Sequence, residues 1–184
     1  MDYYHCSPTA ALTVLQPRKP AFSEKPARVY MTTLLPMALM YGVRNYEYTY
    51  GYTKEGQIYL DEYFPNALEV LYRGKGASLY WCDPVHIEQA RIPNEVVSDV
   101  EVPVIREMVI PDVYDALLEQ EKLGTLVIHR YEELSPKMLD WIRKVEADGI
   151  RHSNLLQSPG AMADYYRTHY PESWAMVERE QKEE

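Results

Sequence analysis

Apolar and polar positions alternate in short runs through the first two thirds of the chain, and the spacing becomes helical after Pro111. Tyr3 to Ser7 reads as an opening strand, and Leu12 to Leu15 as a brief apolar segment ended by Pro17. The three prolines between Pro17 and Pro26 leave no period there, which predicts an exposed loop. Arg28 to Thr33 returns to strand character. Pro36 then suits the first turn of a helix running to about Tyr41, where Gly42 stops it. From Asn45 to Tyr52 an aromatic residue falls at every second position, 46, 48, 50 and 52, the period of a strand with one aromatic face. Lys54-Glu55-Gly56 turns that strand into Gln57 to Leu60, forming a hairpin. Leu68 to Tyr72, Ser78 to Cys82 and Val100 to Ile110 are further strand candidates, and Asn94-Glu95 opens another.

Beyond Pro111, Val113, Leu117 and Leu118 keep helical spacing up to Gly124, and Thr125 to Tyr131 reads as a last strand. Ser135-Pro136 is a good N-cap and first-turn pair, with Met138, Leu139, Trp141, Ile142 and Val145 on one side before Gly149. Ala161 to Tyr166 and Ser173 to Val177 complete a helical region that ends in the charged EREQKEE. Strands first and helices later predict an α+β fold of one domain, β-rich over 1–131 and helical over 132–184.

Composition narrows the function. The 184 residues carry 19 Lys and Arg against 28 Asp and Glu, a formal charge of −9, so there is little surplus cation for a general nucleic-acid-binding face. No run reaches the roughly eighteen apolar residues of a membrane span, and Met1 to His5 lacks the plan of a signal peptide. A cytoplasmic protein without a membrane anchor is expected. Two cysteines, Cys6 and Cys82, do not make a disulfide framework and read as small buried hydrophobes. The bias of 17 Tyr against 2 Phe suits a cleft for a polar, planar ligand, because tyrosine joins a large apolar ring to a polar tip.

The chain has no GxGxxG, GxxxxGK[ST], GxSxG, HExxH or CxxC. Cys82 and His86 are spaced for a metal, but no second pair completes a site. His5 is a poor base for Cys6, since neighbours on a strand point to opposite faces. His5 and Ser7, two apart, share a face and can both reach a ligand lying across it. Tyr30 and Tyr41 can supply planar rings, and the Glu95 carboxylate can stabilise a developing cation.

Tyr4-His5-Cys6-Ser7 resembles the His-Gly-Ser/Thr strand of ADP-ribosyltransferases of the poly-ADP-ribose polymerase type, the His-Tyr-Glu group. The stretch YMTTLLPMALMY, Tyr30 to Tyr41, is similar to that group's segment in which one Tyr starts a strand and a second ends the following helix. Asn94 to Asp99 resembles the strand carrying the catalytic Glu. The resemblance covers roughly residues 3 to 110. It implies a split, mixed or antiparallel β-sheet that binds NAD as a substrate and cleaves its nicotinamide–ribose bond. Carried over, His5 binds the adenosine-proximal ribose hydroxyl, Tyr41 stacks on nicotinamide, Tyr30 walls the pocket, and Glu95 holds the nicotinamide ribose and stabilises its cation. Ser7 completes the binding set.

Cys6 stands where that family has a Gly, and Ala38 where it usually has a Ser that bonds the nicotinamide amide. Glu101 and Glu107 remain alternatives to Glu95. A related branch that transfers RNA 2'-phosphate needs a basic pocket, which the acidic balance disfavours; Arg18, Lys19, Lys25 and Arg28 are placed instead to serve a pyrophosphate. A protein acceptor would receive the ADP-ribose. The competing expectation is a binding or adaptor domain without catalysis, with Trp141, Trp174 and several Met forming a partner surface.

Overall fold

The computed structural model describes residues 1–19, 26–43 and 48–183. In chain order the elements are β1 (Tyr3–Ser7), β2 (Val14–Leu15), β3 (Val29–Thr32), α1 (Leu35–Met40), β4 (Tyr48–Tyr52), β5 (Ile58–Glu62), α2 (Ala67–Tyr72), β6 (Ala77–Cys82), β7 (Glu88–Gln89), β8 (Glu95–Ser98) and β9 (Val102–Ile110). They continue with α3 (Val113–Lys122), β10 (Leu126–His129), α4 (Pro136–His152), α5 (Ala161–His169) and α6 (Pro171–Glu183). A seven-stranded sheet has the order β2-β9-β6-β1-β3-β8-β7, and a three-stranded sheet the order β10-β5-β4. The large sheet is antiparallel at every described pairing. The fold is α+β, as the order of patterns along the chain predicts. No helix among the described residues is long and apolar enough to cross a membrane.

Two compact units emerge, one of Met1–Tyr46, Gly51–Tyr59 and Leu68–Val127, the other of Glu47–Tyr50, Leu60–Ala67 and Ile128–Glu184. In the first, Leu15, Val29, Met31, Tyr80, Cys82, Val96 and Val102 form a buried cluster. Burying such side chains contributes about 1.5–3 kcal/mol each, which is what holds these short strands together. Pro36 opens α1 with its fixed φ, and every residue from Pro36 to Met40 is buried. The Tyr72 hydroxyl donates to the Met40 carbonyl at 3.0 Å, satisfying an acceptor that the end of α1 would otherwise leave without a partner. Asp112 caps α3 by accepting from the Tyr114 and Asp115 N–H groups.

In the second unit Ser135 caps α4, its Oγ accepting from Met138 N at 3.2 Å. Ala147, Ile150, Leu155, Ala163, Trp174 and Val177 form one buried cluster, and Phe64, Ala67, Ile142 and Tyr170 another.

Three expectations are corrected. Leu68 to Tyr72 lies in helix α2 and is not a strand. Ala67, Leu68, Leu71 and Tyr72 are buried while Val70 is exposed, a helical face that so short an apolar run does not announce. Helix α4 passes through Gly149 to His152, and its buried face is Ile142, Glu146, Ala147 and Ile150 rather than the side containing Trp141 and Val145. Gly149 serves packing there, since a Cβ on it would come 3.1 Å from the Tyr166 hydroxyl. Trp174 is buried, with 5% exposure, so it does not belong to an exposed partner surface; Trp141 is 42% exposed. Residues 20–25 of the expected loop and 44–47 of the expected aromatic strand lie outside the described residues.

Candidate functional site

In the first unit two central strands part from one another. β1 pairs with β6 along all five residues, from Tyr3↔Cys82 to Ser7↔Ser78, and β3 pairs with β8 along four. β1 and β3 meet only at Tyr4↔Thr32, and past that bridge the sheet is split. One side chain still spans the gap: His5 Nδ1 lies 2.9 Å from the Tyr30 carbonyl oxygen. A carbonyl can only accept, so Nδ1 carries the hydrogen, which leaves Nε2 of the neutral ring as an acceptor. Burial pushes the His5 pKa down; the Tyr30 carbonyl opposes this, and the charge of Arg18 lowers it further. The ring is therefore held neutral, the form that can accept a hydroxyl hydrogen.

Two cavities follow the split. One, of about 430 Å³, is lined by His5, Tyr30, Thr32, Ala38, Tyr41 and Glu95, among others. The second, of about 510 Å³, lies toward Val29 and is lined by Ser7, Arg18, Lys19 and Arg28. His5, Cys6 and Tyr30 line both. Each volume falls within the range of about 300–1,000 Å³ common for small-molecule sites.

Glu95 reaches the first cavity through a tight turn. Its N–H donates to the Ile92 carbonyl at 3.2 Å, with Pro93 second and Asn94, at φ +63°, third. Proline followed by a left-handed residue is the pattern of a type II turn, and asparagine tolerates that φ better than most residues. The turn is tied down on three sides. The Asn94 carbonyl accepts from Thr32 Oγ1 at 2.8 Å and from Thr33 N at 3.0 Å, and the Tyr52 hydroxyl donates to the Pro93 carbonyl at 2.7 Å. Glu95, only 8% exposed, thus begins β8 opposite Thr32.

Tyr41 is the residue that ends α1, its N–H donating to the Ala38 carbonyl. Gly42 then permits close packing, because a Cβ there would stand 2.8 Å from Cys6 Sγ and 3.1 Å from Ala77 Cβ. Alternation along β1 directs Cys6 to the face opposite His5 and Ser7. Burial pushes the thiols of Cys6 and Cys82 up to about 12, so both behave as core residues rather than nucleophiles.

The structure therefore gathers His5, Tyr30, Tyr41 and Glu95 around one cavity and puts Ser7, whose Oγ accepts from Thr9 N at 3.1 Å, in the adjoining one. Glu101 accepts from Gln16 Nε2 at 2.7 Å, and Glu107 from Ala11 N at 3.0 Å; neither lines either cavity. Hydrogen bonds, that from Ser78 foremost, hold the Glu107 carboxyl below its usual range. Cys82 lies in the core and His86 pairs with Asp99 at 3.1 Å, so those two do not converge on a metal. Lys25 lies outside the described residues. Sequence reading missed the Thr32 clamp and the turn before Glu95, although the Pro93-Asn94 dipeptide was the available signal for the turn.

Compared with protein families, with curated proteins and with solved structures, the chain has no match in any of the three.

Proposed function

We propose that this chain is an ADP-ribosyltransferase-like protein that takes NAD into the split between β1 and β3 and breaks the bond between nicotinamide and its ribose. The observation that carries this reading is the convergence of His5, Tyr30, Tyr41 and Glu95, from β1, β3, the end of α1 and β8, on one cavity of about 430 Å³. Tyr41 offers a ring on which nicotinamide stacks, and Tyr30 forms the opposite wall. His5 Nε2 accepts from a ribose hydroxyl, while the Cys6 backbone meets the nicotinamide amide. Ser7, farther along the split, binds the adenosine side.

The Glu95 carboxylate holds the nicotinamide ribose and faces the positive charge that grows on C1' as the C–N bond lengthens, an electrostatic role. The bonding pair leaves with the nicotinamide nitrogen, which becomes neutral. An acceptor oxygen or nitrogen, from a protein side chain or from water, then bonds to C1' and gives up its proton to solvent.

Thermal unfolding with and without millimolar NAD tests binding, because a ligand at about a hundred times its Kd adds roughly 2.7 kcal/mol. The midpoint should rise, and Tyr41→Ala should remove the rise. Glu95→Gln should keep the rise yet lose nicotinamide release by about 10²–10³-fold, the size expected of a stabilising group aimed at developing charge. No NAD-dependent shift would overturn the reading. Ala38 favours one second reading, a nucleotide-binding domain without turnover, since it lines the cavity without the hydroxyl that the resembling family has there. A midpoint shift with no nicotinamide release from the wild-type chain would select it.

A further inference from the structure

One edge of the large sheet is left largely unpaired. β9 stands between β2 and β6 in the strand order, yet β2 reaches only its first two residues, through Leu15↔Val102 and Val14↔Pro103. The Val104 N–H donates to the Thr13 carbonyl at 3.0 Å, and from Ile105 to Ile110 no described strand or backbone hydrogen bond lies on that side. Ile105 is 68% exposed there, Met108 44% and Val109 67%. An apolar edge of this kind is a template for another strand, and proteins usually guard it with charged side chains.

The two charged side chains of this stretch do not guard it. Arg106 is drawn back over the Trp81 ring, its guanidinium carbon 3.5 Å from the ring centroid. Glu107 accepts from Ala11 N at 3.0 Å and from the Tyr80 hydroxyl at 3.3 Å. Both are held against their own chain, which leaves the backbone edge and its apolar side chains to meet a partner. The other edge of the sheet, β7, is a poor match: it is only Glu88 and Gln89, both exposed, with Glu88 paired to Arg28 at 3.5 Å. Pairing unlike edges would also add copies without end, whereas β9 against β9 closes at two.

We propose that the occupant is a second copy of this chain, its β9 lying antiparallel to the first about a two-fold axis at Met108. Such an axis, normal to the sheet, sets opposed side chains on one face. Placed at Arg106 it opposes guanidinium to guanidinium, and placed at Glu107 carboxylate to carboxylate, both unfavourable. An axis at Ile105 or earlier needs the edge of Pro103 and Val104, which Val14 and Thr13 already occupy. At Met108 it sets Met108 against Met108, Glu107 against Val109 and Arg106 against Ile110, so no like charges are opposed. An axis at Val109 shortens the pairing, because the strand ends at Ile110.

Sedimentation of the full chain tests association, from about 1 μM to about 500 μM, the range suited to an interface at the small end of the stable size class. Salt at about 0.15 M screens the repulsion between two acidic copies. The wild type should pass from the mass of one chain to that of two. Met108→Lys brings two ammonium groups together at the axis and should weaken association by about tenfold or more. Met162→Lys, at another exposed methionine, on α5, makes the same charge change and should leave association as it was.

Oxidative cross-linking reads the register independently. Opposed residues of an antiparallel pair have Cα atoms about 4.5–5.5 Å apart, within reach of a disulfide. Diamide should therefore couple two chains of Met108→Cys well before those of Ile105→Cys. The native Cys6 and Cys82 are buried and do not compete. A wild type that stays single across the concentration range, or association that Met108→Lys leaves intact, overturns the proposal. Cross-linking of Ile105→Cys as fast as that of Met108→Cys overturns the register.

Discussion

His5 joins position and protonation in one side chain. Its Nδ1–H is committed to the Tyr30 carbonyl at 2.9 Å, and burial keeps its pKa below the usual value near 6.5. The unfolded chain therefore takes up this proton at a higher pH than the folded one, and stability rises with pH wherever the unfolded state binds more protons. The contribution of the neutral ring is complete above the ordinary histidine range and declines as pH falls through it. Urea midpoints should accordingly be lower at about pH 5.5 than at about pH 7.5, and His5→Gln should reduce that difference. An unaltered pH slope in His5→Gln would contradict the assignment. Gly42 shows how little room surrounds this strand. Gly42→Ala places a methyl 2.8 Å from Cys6 Sγ and 3.0 Å from the Leu39 carbonyl oxygen, and should destabilise by about 1–3 kcal/mol in denaturant unfolding.

At the level of elements, the turn from Ile92 to Glu95 links local conformation to the site. Asn94 sits at φ +63°, a region that glycine enters freely and β-branched residues resist. Asn94→Gly should retain stability and NAD-dependent stabilisation. Asn94→Val should cost about 1–2 kcal/mol and weaken the NAD response, because the strain is relieved by moving the residue that precedes Glu95. Equal behaviour of the two variants in thermal unfolding would show that the turn does not position Glu95. Strands β1, β3, β6 and β8 were legible because strand-like runs end at proline, glycine or asparagine. Helix α2 was not, because its six residues are apolar but for Glu69 and so short a run does not tell a buried strand from a helix; contacts made only on folding choose between them. The inner face of α4 was misread for a related reason. Glu146 is buried beside Ala147 while Trp141 is half exposed, and residue type alone assigns those two positions the other way round.

Over the whole molecule, charge is the property most open to test. The formal charge of −9 opposes compaction, and exposed pairs such as Arg143–Glu172 at 2.8 Å offset it by no more than about 1 kcal/mol each. Adding salt to about 0.15 M, where the screening length is about 8 Å, should raise the thermal midpoint from its low-salt value, since net repulsion is screened along with the pairs. A fall would show that the pairs outweigh the repulsion.

The sequence by itself determined the α+β class, the opening strand, the strand-and-helix unit from Arg28 to Tyr41, and Glu95 as the first residue of a later strand. Each of these is encoded by neighbours in the chain, through residue period, proline's fixed φ and the residues that end an element. Tertiary structure alone decided that β1 and β3 separate after Tyr4↔Thr32 and that Glu95 rather than Glu101 or Glu107 lines the resulting cavity. Those outcomes depend on the pairing of segments tens of residues apart. Pairing is selected by which apolar faces can be buried together, and no short window of the chain carries that information.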